Sequence, residues 1–509
     1  MAQLLPVYNP DPTPDPMPDL TPGLYRIDAL AAIDAPSPGH PGLSLTHPLG
    51  VSLVLERTKH GDLISLAAAP TPELARSPRF AAARVIARPG HVLTPALVNA
   101  HTHLDLTHIG PRPLANPASP DPLEHDHFAA WLDMVRRERH TDPHAIAASV
   151  RAGVALLNRG GIALVGDIAG AVGGQPSTIA AAALAKSLLA HAMLAGISAI
   201  EFFAQGSRWQ TATEAALAAV ESLQPFATNR WQPALSPHAP YSVHADAYCM
   251  AIARMAHAHA RAQHLPAVIT HAAESLAERA FITHARGPLA NLLANLGMLD
   301  DHARASIGQG RSPIAHLDAA LPSGAALTLV HAADLNPHDV NTIAARGWRV
   351  IYCPRAAAYF ASRADQPPLP PHRYQELLAA GVPVALGTDS VINLPAADLA
   401  ATGLSVWPEM ALLVRQDHLA PRVALAMATV HGCAALNLPH LAIHFRLAPL
   451  PHTSAPAAPI AGVLATPLAM PPSVNSLHCG AEAEEILGMT LKAGVKPELI
   501  APGGVSFVA

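Results

Sequence analysis

Ala96-Leu97-Val98-Asn99-Ala100-His101-Thr102-His103-Leu104 is the stretch whose reading decides the fold. A short apolar run bounded by polar residues marks a strand buried on both faces. On a strand, side chains two apart point to one side, so His101 and His103 can aim both imidazoles at a single ion. The arrangement returns further along the chain. Ala267-Val268-Ile269-Thr270 precedes His271, Leu327-Thr328-Leu329-Val330 precedes His331, and Val384-Ala385-Leu386-Gly387-Thr388 precedes Asp389. The C-terminal mouths of parallel barrel strands are where such folds place their chemistry.

The His-x-His triplet carries little by itself. With 30 histidines in 509 residues, about two such triplets arise by chance. His125/His127 sits in a polar stretch, and His257/His259 lies in a helical pattern where i and i+2 occupy different faces. Both pairs read as solvated or helix-surface histidines. Strand context is what sets His101/His103 apart.

Outward from the first strand, short apolar runs alternate with Ala-rich helical segments such as Thr213 to Leu223 and Ala245 to Gln263. That alternation argues a parallel α/β architecture. Candidate strands end near His103, Asp167, Glu201, His238, His271, His331, Cys353 and Asp389, which fits a (β/α)₈ TIM barrel. The barrel is expected over residues 94–437. Residues 1–22, rich in Pro and Asp, read as a disordered lead. Residues 23–93 read as a small β unit. Residues 438–509 return to β-like pieces (442–445 and 504–508), with a Pro/Ala-rich irregular excursion over 449–472. The two ends are expected to pack together as a small β-sandwich beside the barrel.

Composition narrows the partners. Half the residues are hydrophobic but only 4% aromatic, so Ala, Val, Leu and Ile must build the core. With a net charge of −5 and no basic stripe, the chain offers nothing to nucleic acid. Cys249, Cys353, Cys433 and Cys479 lack paired spacing, which fits reduced thiols in a cytoplasm. Residues 1–22 have no basic region followed by an apolar one, so no secretory signal is read there. The apolar stretch 179–200 is interrupted by Lys186, Ser187 and His191, and reads as a buried helix leading into a strand rather than a membrane span. A small-molecule substrate is expected, and a homodimer stays open.

Val98-Asn99-Ala100-His101-Thr102-His103-Leu104, Ser236-Pro237-His238-Ala239-Pro240-Tyr241-Ser242, His271-Ala272-Ala273-Glu274-Ser275, Leu329-Val330-His331-Ala332, Cys353-Pro354-Arg355 and Leu386-Gly387-Thr388-Asp389-Ser390 resemble the successive motifs of the metal-dependent amidohydrolase superfamily. Within it the chain is most similar to the cyclic-amidine deaminases and triazine-type chlorohydrolases. The resemblance covers roughly residues 50–436 and implies a deformed TIM barrel flanked by a β-sandwich from both chain ends. It also implies one divalent metal, Zn or Fe, on His101, His103, His271 and Asp389, a donor set that suits those ions. Two-metal members need a lysine at the end of strand four; here that strand ends in His238, and Lys59, Lys186, Lys492 and Lys496 sit at no strand mouth.

Metal coordination lowers the pKa of water from about 15.7 towards 7, making hydroxide available at neutral pH. The resemblance assigns Glu274 the proton transfer to the leaving group, His331 the steadying of developing charge, and Asp389 both metal binding and the water's proton. Glu274 also reads as a helix N-terminal carboxylate. His238 matches a substrate-contacting position, or caps the turn before Pro240. Trp131 and Arg136 resemble the segment covering the pocket, though Trp131 reads equally as helix core. Arg355 could face the pocket or make a surface ion pair. Ala356-Ala357-Ala358 after it depart from the polar continuation usual in the family, and the C-terminal segment lacks the usual Gly-Pro-Gly-type entry.

The expected reaction is hydrolytic deamination of a cyclic amidine such as an aminopurine or an aminofutalosine-type nucleoside. Dechlorination or cyclic-amide hydrolysis at the same site is the alternative. A non-catalytic binding barrel is the alternative of another class.

Overall fold

The structure is a computed structural model. It describes residues 22–33, 44–57, 63–113, 127–170, 184, 194–228, 231–259, 267–361, 369–438, 458–460, 462–467, 487–488, 491 and 498–502. The expected lead (1–22) apart from residue 22, the β-like pieces 442–445 and 504–508, and most of the helical part of 179–200 lie outside the described residues.

Four strands precede the barrel: β1 (Gly23–Ile33), β2 (Ser44–Arg57), β3 (Leu63–Pro70) and β4 (Arg84–Pro95). Then come the short buried strands anticipated above: β5 (Leu97–Thr102), β6 (Ile162–Ala169), β7 (Ala195–Phe202), β8 (Trp231–Pro237), β9 (Ile269–Ala272), β10 (Thr328–His331), β11 (Arg349–Tyr352) and β12 (Val384–Leu386). They form two four-stranded parallel sheets, β5-β6-β7-β8 and β9-β10-β11-β12. A parallel bridge from Leu235 to Val268 joins them at one seam, and one from Thr102 to Asp389 joins them at the other. The eight strands therefore close into a barrel, with no edge left along these seams.

Helices Pro143–Arg159, Trp209–Leu223 and Ala245–His259 are among those that follow the strands, the last two close to where sequence periodicity put them. Asp142 caps the first of these by accepting from Ala145 N–H. The core is aliphatic, as the composition requires, and holds Trp231, Trp348 and Trp407 as its largest fully buried side chains. Trp231 and Trp348 each place their indole N–H on an oxygen, Ser198 Oγ and the carbonyl of Ala325.

The flanking unit is one seven-stranded sheet in the order β13-β3-β2-β1-β4-β14-β15. Its last three strands, β13 (Ala458–Ile460), β14 (Gly462–Pro467) and β15 (Glu498–Pro502), come from the C-terminal segment. Val54, Ala69, Leu74 and Phe80 make a small apolar cluster, with helix Thr71–Arg76 contributing Leu74.

Two expectations need correction. The stretch 449–472 was read as irregular, yet β13 and β14 lie within it. Pro459 sits on edge strand β13, where a missing N–H costs the ladder least, and Pro467 stands at the end of β14. His127, read as solvated, is buried at the start of helix His127–Glu138, while His125 lies outside the described residues.

Candidate functional site

The barrel mouth gathers the strand-end residues. Donor atoms of His101, His103 and Asp389 lie within 4.8 Å of one another, as do those of His101, His271 and His331, and those of Glu274, His331 and Asp389. Nε2 of His101 and Nε2 of His103 each stand 3.5 Å from Oδ1 of Asp389. The imidazole centroids of His101 and His271 are 5.1 Å apart. All of these side chains are buried.

Backbone hydrogen bonds set this geometry. His103 N–H donates to the carbonyl of Asp389, and the N–H groups of Thr388 and Asp389 both donate to the carbonyl of His101. Asn99 clamps Thr388 from below, donating from Nδ2 to its Oγ1 at 2.8 Å. Gly387 allows the close fit: a Cβ there would come within 2.9 Å of His101 Cβ and 3.0 Å of Cys353 Sγ. His331 and Asp389 both adopt positive φ, 70° and 61°. Such backbone costs about 1–3 kcal/mol and persists where surroundings over-determine it. His372 contributes by donating from Nε2 to the carbonyl of His331 at 2.8 Å.

The imidazole tautomers are fixed in the same way. His271 Nδ1 lies 2.9 Å from the carbonyl of His238, so it donates and leaves Nε2 for the cluster. His238 Nδ1 is 2.6 Å from Ser242 Oγ. Burial lowers the pKa of His101, His238 and His331, and His271 adds to the effect in each, so the neutral, ligating form is favoured.

The residues fit a cation. Among the described residues, both ring nitrogens of His101, Nε2 of His331 and Oδ2 of Asp389 are buried with no hydrogen-bond partner. Each such group costs about 1–3 kcal/mol unless something satisfies it. Neutral imidazoles around a carboxylate are a donor set for a divalent ion.

Glu274 stands across from this set, with Oε1 3.4 Å from His331 Nε2. Burial first, then the nearby Asp389, Glu278 and Glu201, push its carboxyl well above the usual range. Helix capping is done by others: Ser275 Oγ accepts from Glu278 N–H, while Glu278 accepts from Ala273 and Glu274 N–H. The carboxylate of Glu274 is thus free of a capping duty. His238 also joins the group, its centroid 5.2 Å from that of His271 and its donor atom grouped with Glu201 and His271.

The remaining three sequence candidates have the following surroundings. Trp131 is packed in the core beside Phe128 and Phe360. Arg136 is exposed and pairs with Asp133 one helical turn back. Arg355 is buried, but Glu409, Asp398 and the carbonyl of Ser405 take its donors. Its partners are distant in sequence, which is why the strand-end reading pointed it at the pocket.

Arg139 is the arginine that sequence reasoning missed. It lies just past the helix that carries Arg136, and donates to Asp105 Oδ2 at 2.8 Å and Glu201 Oε2 at 3.1 Å. Burial works against its charge, but the two carboxylates prevail and raise its pKa. The two arginines are three positions apart, and helical spacing alone could not say which turns inward. Glu278 did have a signal, since Ser275-x-x-Glu278 is a capping pattern.

A model of the amidohydrolase family matches residues 92–442. Over 320 residues the chain is 30% identical to the aminodeoxyfutalosine deaminase of Deinococcus radiodurans, covering 60% of this chain and 65% of that protein, just under two thirds of its length. Helicobacter pylori aminofutalosine deaminase, solved with methylthio-coformycin, superposes with a TM-score of 0.65 at 17% identity, over 94% of this chain and 99% of that one. An adenosine deaminase from Xanthomonas campestris with bound zinc gives 0.60 at 18% identity, over 95% and 94%. Atrazine chlorohydrolase from Arthrobacter aurescens TC1, complexed with zinc, gives 0.59 at 15%, over 92% and 91%. The structural likenesses speak for the fold. The family match spans more than half of the chain and every residue of the cluster, and the chain therefore belongs to the amidohydrolase family.

Proposed function

We propose that this chain is a hydrolytic deaminase that replaces the amino group of a cyclic amidine with oxygen and releases ammonia. The substrate class is an aminopurine or a modified adenine nucleoside, aminofutalosine-type compounds included. One observation carries the reading: a buried carboxyl with a raised pKa, Glu274, faces His331 and Asp389 at the edge of a cation-competent histidine set. The name of the Deinococcus radiodurans relative supports the substrate class.

His101, His103, His271 and Asp389 would hold one divalent ion, Zn or Fe. When bound, such an ion supplies Lewis acidity and brings the pKa of water from about 15.7 towards 7. Asp389 takes a proton from the attacking water. Glu274 in its acid form gives its proton to the ring nitrogen, which makes the attacked carbon electrophilic. His331 steadies charge as that carbon becomes tetrahedral. Asp389 then returns its proton to the departing amino group while Glu274 takes the proton of the new hydroxyl, so that ammonia leaves as the ring carbonyl forms. His238 orients the ring.

The same proposal includes barrel bounds of 94–437 between flanking segments 23–93 and 438–509, and a sandwich arrangement for the seven-stranded sheet. It also includes a cytoplasmic setting without nucleic-acid partners. Among the described residues no helix is long and apolar enough to cross a membrane.

The test is ammonia release by metal-loaded protein against aminopurines, adenine nucleosides and triazines. Turnover of an amino-substituted heterocycle supports the reading. Chloride release from a chlorotriazine with no ammonia from any member would assign the chlorohydrolase alternative instead. Folded, metal-loaded protein inert to the whole panel would overturn the proposal.

A further inference from the structure

Two donor sets overlap at His271. On one side stand His101, His103 and Asp389. On the other, Glu201 and His238 bring donor atoms within 4.8 Å of each other and of His271. Two imidazoles and a carboxylate are a competent cation site in their own right. Yet His271 has a single ring nitrogen to give, because its Nδ1 is bound to the carbonyl of His238. A cation using His271 must sit on one side or the other. Only one side includes Asp389 and adjoins Glu274 and His331.

Arg139 is placed to decide between them. Its guanidinium is 3.1 Å from Glu201 Oε2 and 2.8 Å from Asp105 Oδ2, and all three side chains are less than a tenth exposed. A guanidinium keeps its charge at any working pH and holds two carboxylates in a fixed fork. The space it fills exists because residue 170 is glycine; a Cβ there would collide with the guanidinium. Ion pair and packing together hold this arrangement.

We propose that Arg139 is a positioning residue that withholds Glu201 from the metal. It confines the cation to the side of His101, His103 and Asp389, within reach of Glu274. The inference rests on reading the histidine cluster as a metal centre, and needs no knowledge of the substrate.

Co²⁺ is the probe, because its visible absorption bands report the ligand set directly. Arg139→Met leaves Glu201 beside the cation without its partner. Its Co²⁺ bands should differ from wild type, and Co²⁺ should bind measurably more tightly because a carboxylate oxygen becomes available to it. Both changes should vanish in the double variant Arg139→Met/Glu201→Gln. A folded Arg139→Met protein with wild-type bands and affinity overturns the proposal, as does a change that survives Glu201→Gln. If Arg139→Met does not fold, Glu201→Gln alone decides. With Arg139 still holding Asp105, its Co²⁺ bands and affinity should match wild type; a shift means that Glu201 already ligates, and the proposal fails. No measurement uses turnover, so failure here is separate from failure of the deaminase reading. A wild-type protein that binds no Co²⁺ would remove the metal centre itself, and this proposal with it.

Discussion

The main-chain N–H of His103 donates to the carbonyl of Asp389 over 2.9 Å, tying a residue that follows the first barrel strand to one that follows the last. The hydrogen bonds that close the barrel are thus the ones that bring the donors together. Anything that binds the assembled site stabilises the closed barrel by mass action.

Metal removal is therefore expected to lower the melting temperature as well as abolish activity. Loaded protein should carry about one ion per chain, and restoring the ion should restore both properties. Calorimetry with and without a chelator, beside elemental analysis, measures this. Two tightly held ions per barrel would contradict the single-ion assignment.

Glu274→Gln is expected to keep its metal while turnover falls by about 10²–10⁴-fold, the usual contribution of a positioned acid or base. His271→Ala should lose metal and activity together, since it deletes a donor. Metal content and ammonia release, measured on both proteins, separate the two roles. Full activity in Glu274→Gln would move the proton transfer to another residue.

Arg355→Ala should act on stability. Its guanidinium holds Glu409, which is fully buried, by a 2.6 Å hydrogen bond. Removing one partner of a buried pair costs about 3–5 kcal/mol, which denaturant titration would detect. Arg136→Ala, on an exposed face, should stay within about 0.5 kcal/mol of wild type.

Glu278 predicts a pH effect. Burial raises its carboxyl from 4.5 to about 7, against the pull of hydrogen bonds from Glu274 and Ala273. The folded protein holds this proton more tightly than the unfolded chain. Its stabilising contribution is fully present below 4.5 and is lost as pH rises through about 7. Glu278→Gln should flatten the fall in stability between these values, as read by melting temperature across the pH range. An equally steep fall in the variant would assign the effect to other groups.

The barrel was legible because each strand is a short apolar run that ends in a residue able to bind or transfer a proton. His101, His103, His271, His331 and Asp389 announce themselves by that position, and the structure brings them together. Arginines do not announce themselves. A long side chain takes its role from partners far away in sequence: Arg355 from Glu409, and Arg139 from Asp105 and Glu201. Proline content hid β13 and β14, because composition cannot distinguish a proline-bearing strand from a loop.

Strands β13 and β14 lie beside β3 and β4, which the ribosome makes nearly four hundred residues earlier. Until the late strands emerge, those two early strands have open edges, and exposed edges invite pairing with other chains. The nascent barrel can close while its companion sheet is still incomplete. A ribosome stalled in the segment after Leu438 would then hold a chain with a formed cluster and two sticky flanks, a natural client for a chaperone.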